Sequence, residues 1–208
     1  MMETYAAINS RRTVRDFAER PIEPATLKMI LNAGLQAPSN NHLREWEFIV
    51  VDQMSMRIRL IDKVPKSFTQ EEVADWLDSW GAADACQRAM YFNGVPKQYR
   101  MLLTAGALVI PCFRQWKPLT EINELFELNG FASIWCCIEN ILLAAASEGI
   151  FGVTRIPFAG ESEYIKEVLK IPTDYEVPCY IALGYPQNAN PIEQIPIQIE
   201  DKLHFNRW

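Results

Sequence analysis

The spacing of apolar positions along the chain switches between helical and strand-like periods, and those switches delimit its elements. Tyr5 to Ser10 reads as a short first helix. Leu27, Ile30, Leu31 and Leu35 recur at helical spacing behind Pro24, a residue suited to the first helical position, and Pro38 ends the run. Ser39 to Arg44 is polar and turn-prone, a loop leading into an apolar strand from about Trp46 to Val51. The next clear strand is Ala107 to Phe113, and Pro111 within it predicts an edge position or an early end, because proline cannot donate to a ladder.

The excursion between these strands, about 62–104, predicts helical pieces and loops, either a lid or a pair of helices carrying aromatic residues. A structureless connection of that length would be improbable inside one domain. Phe131 to Ser147 is apolar nearly all round, which predicts a helix buried in the core or at a subunit interface, with Gly149 as its stop. Gly149 to Arg155 resumes as loop or short strand. A helix from near Ser162 to Leu169 follows, then a strand over Pro178 to Leu183, and an extended tail over about 187–208. There is no internal repeat and no composition break, so the economical organisation is one α+β domain spanning 1–208.

Composition narrows the partners. A formal net charge of -6 argues against nucleic acid as a ligand, which would need a broad basic surface. Five cysteines, an odd number with no CxxC and three of them in apolar surroundings, fit a reducing cytoplasm. The first residues lack a charged-then-apolar leader, and the apolar stretch Phe131 to Ala146, interrupted by Glu139 and Asn140, is too short to span a bilayer, so no membrane association is expected.

Several familiar chemistries lack their residues. The two histidines, His42 and His204, have no cysteine nearby in sequence for a zinc site, no GxSxG offers a serine nucleophile, and the nine glycines form neither GxGxxG nor GxxxxGK[ST]. What remains is a basic cluster, Arg11, Arg12 and Arg15, with Thr13 between them. Guanidinium forks suit phosphate, and the threonine hydroxyl can donate to the same oxygens. A solvated helix end is the plainer reading of such a cluster taken alone. Two other features have plain readings as well: Cys136-Cys137 as packing residues, and Trp76, Trp80, Tyr91 and Phe92 as either a pocket wall or core and dimer contacts.

Arg11-Arg12-Thr13-Val14-Arg15-Asp16-Phe17, the Pro-started helix, Ala37-Pro38-Ser39-Asn40-Asn41-His42 and Trp46-Glu47-Phe48-Ile49-Val50-Val51 together resemble the amino-terminal signature of the FMN-dependent nitroreductase family. The likeness continues in Gly106 to Ile110, in the apolar helix before Gly149 and in Ile181 to Pro186, leaving out the central excursion. It implies an α+β nitroreductase-like fold, a mostly antiparallel or mixed sheet flanked by helices, in an intertwined homodimer with FMN at the interface and the tail packed on the partner. It also implies an oxidoreductase that moves hydride from NADH or NADPH through flavin N5 to a nitroaromatic, quinone or related small-molecule acceptor by a ping-pong mechanism, the flavin carrying the chemistry.

Residue by residue, the resemblance assigns Arg11, Arg12 and Thr13 to the FMN phosphate and ribityl chain, and Arg15 to the pyrimidine edge. Pro38, Ser39, Asn40 and His42 fall on a loop contributed by the partner, and Gly152, Val153, Thr154 and Arg155 fall where the family lays backbone amides near the isoalloxazine ring. The chain departs from the pattern in two places. His42 and Arg44-Glu45 stand where the family often has Asn and Gln-Pro, and Asn188 to Gln198 lacks the usual tail Arg or Lys. Arg100, with Lys97, is a substitute source of charge; Lys202 and Arg207 come later in the tail. Two other readings stay open at this point: a flavin-binding or regulatory module of the same fold without efficient NAD(P)H turnover, and a helical interaction domain whose arginines meet a partner's carboxylates.

Overall fold

A computed structural model describes residues 3–158, 160–188 and 196–208. The amino-terminal elements follow the sequence pattern closely: α1 spans Thr4–Ser10, α2 Pro24–Gly34 with Pro24 at its start, and β1 Trp46–Val50. α3 (Met54–Leu60) follows β1, and the excursion then resolves into three helices, α4 (Gln70–Ser79), α5 (Ala85–Gly94) and α6 (Gln98–Thr104). Thr69 caps α4 through a reciprocal box with Glu72. Beyond them lie β2 (Ala107–Arg114), α7 (Asn129–Ser147), β3 (Phe151–Arg155), α8 (Glu161–Leu169), β4 (Tyr175–Glu176) and β5 (Tyr180–Gly184). Gly149, at φ 69°, turns the chain out of α7.

The sheet runs β1-β2-β5-β3, with β4 also paired to β2, and every strand pair is antiparallel. Its two faces follow from the period of two along each strand. Ala107, Val109 and Phe113 of β2 with Ile181 and Leu183 of β5 face α2 and α7, where Ile30, Ile134, Cys137, Ile138 and Ile141 close one core. Leu108, Ile110, Cys112 and Ala182 face the other way, onto Leu60, Met101, Leu102 and Ile165 of α3, α6 and α8. Helices on both sides of an antiparallel sheet make this an α+β architecture.

Two expectations are corrected. β2 is an interior strand and runs straight through Pro111. Val51 donates its N–H to the Leu108 carbonyl and Arg114 donates to that of Glu45, so even-numbered residues of β2 bond to β1 and odd ones point the other way. On that second side β5 pairs only with residues 107–109 and β4 only with 113–114. The missing N–H of Pro111 therefore faces the gap between β4 and β5, and no bond is lost. The second correction concerns the apolar helix: the continuous helical run Leu125–Ser147 is long and apolar enough to cross a membrane by length and composition. In the fold, Ile134, Ile138, Ile141 and Ala145 of that run are instead buried in the core between α2 and the sheet.

The excursion carries a small core of its own, in which Val73, Leu77, Ala82 and Val95 pack with Phe68, Trp76, Tyr91 and Phe92. Its base is clamped by Arg57 of α3. This buried guanidinium donates to the carbonyls of Leu103 (3.0 Å), Ala105 (2.7 Å) and Val51 (3.1 Å), tying the end of α6 to the end of β1. Part of the tail, 189–195, lies outside the described residues. Residues 196–208 are exposed around a short 3-10 turn at Ile199–Asp201.

Candidate active site

The arginine-rich segment is extended and lies along the free edge of β3. Thr13 bridges Gly152 in parallel, and Val14 donates its N–H to the Gly152 carbonyl at 3.2 Å. Further on, Phe17 bridges Pro186, Ala18 donates to Tyr185 and Gln187 donates to Asp16. Backbone pairing on both sides thus fixes which way successive side chains between residues 13 and 18 point. Lys97 adds a cross-tie from the excursion, its ammonium 2.6 Å from Asp16 Oδ2.

Arg15 projects into a cleft of about 700 Å³. The floor is Val153, Thr154 and Met101. One wall is Trp76, Trp80, Met90 and Tyr91 of the excursion, and the opposite lip is Ile156, Pro157 and Phe158. The Arg15 guanidinium packs against Gly94, where an added Cβ would sit 3.0 Å from Nε and 3.1 Å from Cζ and would push the guanidinium away by a few tenths of an ångström. Arg15 is half-buried and has no hydrogen bond or ion pair among the described residues. Burial lowers its pKa from the ordinary arginine value, opposed by Asp16 and Tyr91. A desolvated, unpaired guanidinium in a cleft is a ready anchor for a hydrogen-bond acceptor or an anion.

The other arginine at the cleft is already satisfied. Arg155, at the end of β3, meets Glu161 through two contacts of 2.5 and 2.8 Å and donates Nε to Gln98 Oε1 at 2.7 Å. Arg155 and Glu161 are each about 5% exposed, and the rings of Phe158 and Tyr180 stack near the guanidinium. This network joins β3, α6 and α8 beneath the cleft.

The Pro38-Ser39 loop lies elsewhere on the chain. Asn41, His42 and Arg44 all hold positive φ (50°, 55° and 53°), a costly conformation for His and Arg. The turn is held by Asn40 N–H donating to Ser133 Oγ at 3.0 Å and Arg44 N–H donating to Ser39 Oγ at 3.2 Å. Ser39 and Asn40 line a second hollow of about 370 Å³, shared with Trp46, Arg114, Trp116, Phe126 and Ser133.

Of the residues singled out in the sequence, Arg15, Val153, Thr154 and Arg155 come together in the cleft with Trp76, Trp80 and Tyr91, while Phe92 packs in the excursion's core; Thr13 and Gly152 lie immediately behind in the bridged backbone. Arg11 pairs with Glu139 of α7 at 3.4 Å, and Arg12 donates to the carbonyls of Asn9 and Arg11. Neither lines the cleft. Arg100 is exposed on α6 and does not reach it; Lys97 is the base of that segment that meets the arginine-rich strand. Pro38, Ser39, Asn40 and His42 do not line this cleft within one chain. Gln98, Met90, Met101 and the Ile156–Phe158 lip were not foreseen, since residues this far apart in sequence carry no mark of their meeting.

The sheet order, the extended basic segment on the sheet edge and the cleft beneath the helical excursion make this an α+β protein with a candidate ligand cleft between sheet and helices. The family model for the nitroreductase family matches residues 8–185, and the chain belongs to that family. A 4-nitrobenzoate reductase from Nocardioides sp. (strain LMS-CY) is 22% identical, over 90% of this chain and 82% of that one. Among solved structures, an FMN-dependent nitroreductase from Clostridium difficile R20291 superposes with a TM-score of 0.68 at 23% identity, covering 97% of this chain and 98% of the other. An NADPH:FMN oxidoreductase from Vibrio harveyi, complexed with NAD+, gives a TM-score of 0.70 at 19% identity, over 99% and 77% of the two chains.

Proposed function

We propose that the chain is an NAD(P)H-dependent flavoprotein oxidoreductase that holds FMN in the Arg15 cleft as a homodimer and reduces a nitroaromatic, quinone or related small-molecule acceptor in the cytoplasm. The observation that carries this reading is the half-buried Arg15 guanidinium, which has no partner among the described residues and is aimed into a cleft large enough for a ring system. FMN, when bound, supplies the two-electron chemistry, exchanged alternately with the nicotinamide and the acceptor in a ping-pong cycle.

The chain's own residues position and polarise. Arg15 stabilises negative charge on an electron-rich heterocycle edge, and its partial burial weakens the competition from water. Val153 and Thr154 form the floor, held in register by the bridge at Gly152. Arg11, Arg12 and Thr13 serve the phosphate and ribityl chain. Arg100 is left as a minor, long-range contributor of positive charge.

The homodimer is supported by the chain's incomplete surfaces. Pro38, Ser39, Asn40 and His42 sit on a strained loop beside a hollow that no segment of the same chain fills among the described residues. A partner's cleft gives that loop its function. Ile197, Leu203, Phe205 and Trp208 of the tail are exposed, and packing them on the partner gives them cover.

The decisive experiment is a visible spectrum of the purified protein, with identification of any flavin released, followed by stopped-flow mixing with NADH and NADPH. Yellow protein bleached by either nucleotide is expected, and Arg15→Ala should shift the flavin reduction potential. A protein that takes up no FMN on reconstitution refutes the reading. Bound flavin that neither nucleotide reduces leaves a flavin-binding module.

A further inference from the structure

The outer half of the cleft is chemically unlike its inner half. Trp76 contacts Trp80, Tyr91 and Phe158 with centroid separations of 5.7, 5.5 and 6.1 Å, and Trp80 contacts Tyr91 at 5.5 Å; three of these four contacts are edge-to-face. Their polarised edges and faces match a flat aromatic guest. Trp80, Met90, Ile156 and Phe158 at the lip remain 44%, 45%, 63% and 48% exposed, an apolar mouth facing water.

Charge is distributed just as unevenly. The only cations lining the cleft among the described residues are Arg15, at the inner end, and Arg155, neutralised by Glu161. No base of this chain lines the outer wall among the described residues. α4, whose carboxyl end delivers Trp80, carries Glu71, Glu72, Asp75 and Asp78 and no lysine or arginine; among the described residues only Asp78 is in an ion pair, with Arg88, and none of the four carboxylates lines the cleft. The carboxyl end of α4, Ser79 with the capping Trp80, does line it, and a helix carries a negative partial charge at that end.

Building on the oxidoreductase reading, we propose that Trp76, Trp80 and Tyr91 form the acceptor-selecting wall and admit flat, uncharged aromatic acceptors while rejecting those that carry a carboxylate. With Arg15 engaged by the cofactor, a carboxylate in the outer cleft meets aromatic faces and the carboxyl end of α4, and loses its hydration without a cationic partner from this wall. An uncharged ring loses only water that the apolar wall holds weakly.

The test uses flavin-loaded protein, saturating NADH or NADPH and two acceptors of one shape, nitrobenzene and 4-nitrobenzoate. The expected kcat/KM ratio favours nitrobenzene by about tenfold or more, expressed mainly in KM. Trp80→Lys, at an exposed position that spares the core, should narrow that ratio severalfold by lowering KM for 4-nitrobenzoate. Equal kcat/KM for the two acceptors in the native protein, or a ratio that Trp80→Lys leaves unmoved, overturns the proposal. A flavin that neither nucleotide reduces sinks the oxidoreductase reading instead. Tryptophan-fluorescence quenching of the protein as purified then decides the wall: it stands if nitrobenzene quenches at lower concentration than 4-nitrobenzoate and Trp80→Phe weakens the effect, and falls otherwise.

Discussion

Glu161→Ala removes the only carboxylate that meets Arg155 among the described residues, and the cost follows from the geometry. Both side chains are about 5% exposed, the pair makes two contacts of 2.5 and 2.8 Å, and the one remaining hydrogen bond, from Arg155 Nε to Gln98 Oε1, does not satisfy an isolated guanidinium. Breaking a buried pair from one side leaves an uncompensated charge and costs about 3–5 kcal/mol. For a chain of this size that corresponds to a fall in Tm of roughly 6–20 °C. Removing both charges is a different perturbation. Arg155→Met with Glu161→Leu fills similar volume with apolar groups and should return stability to within about 2 kcal/mol of native, because neither ion then needs desolvating. Urea unfolding with linear extrapolation measures all three proteins. The reasoning fails if Glu161→Ala costs less than about 1 kcal/mol, the range of a solvent-screened pair, or if the double variant is no more stable than the single one.

Three further outcomes follow from groups remote from the cleft. Arg57→Met should open the base of the excursion, with faster amide exchange at the end of α6 and a stability loss of about 2–4 kcal/mol from stranding the carbonyls of Leu103, Ala105 and Val51; unchanged exchange there would contradict the clamp. Backbone N–H donors of Asn123 and Glu124, then Lys117, lower the Glu127 pKa from 4.5 to about 2. A depressed acid stabilises the folded state above its unfolded pKa, so the corner over residues 117–127 should hold at pH 5 and loosen as pH falls from about 4.5 toward 2, which NMR titration of Glu127 checks. Burial pushes the Cys112 and Cys137 thiols up to about 12, and Cys179 upward as well, while Cys86 is exposed. Cys136 is exposed as well, so of the Cys136-Cys137 pair only Cys137 is a packing residue. A thiol reagent should therefore label Cys86 and Cys136 in the native protein and the three buried cysteines only on unfolding; rapid native labelling of Cys112 would refute the packing.

Local rules explain which parts of the chain were legible from sequence. Pro24, the spacing of Leu27, Ile30 and Leu31, and the positive φ of Gly149 are signals within one or two turns, so α2 and the end of α7 were readable within a residue or two. The excursion was readable only as helical, because aromatic spacing in Trp76 and Trp80 does not say which core the rings will join. Pro111 misled: a residue rule gives the direction of one missing N–H, but the opposite strand decides whether a donor was needed there, and that strand lies some 70 residues on, interrupted at 177–179.

By itself, then, the amino-acid sequence determined the elements, the α+β class and the family, since periodicity, turn chemistry and the Arg11 to Arg15 and Pro38-Ser39 motifs are local or linear properties. Tertiary structure decided the site. Backbone pairing of Thr13 with Gly152 aims Arg15 at Gly94, burial strips its water, and the meeting of residues 15, 76–98 and 153–158 makes a cleft with one cationic end and one aromatic end. It also separated two arginines that look alike in sequence: Arg155 is silenced by Glu161, while Arg15 is left open to a ligand. Desolvation and pairing are set by what surrounds a side chain in space, and neither is a property of its neighbours along the chain.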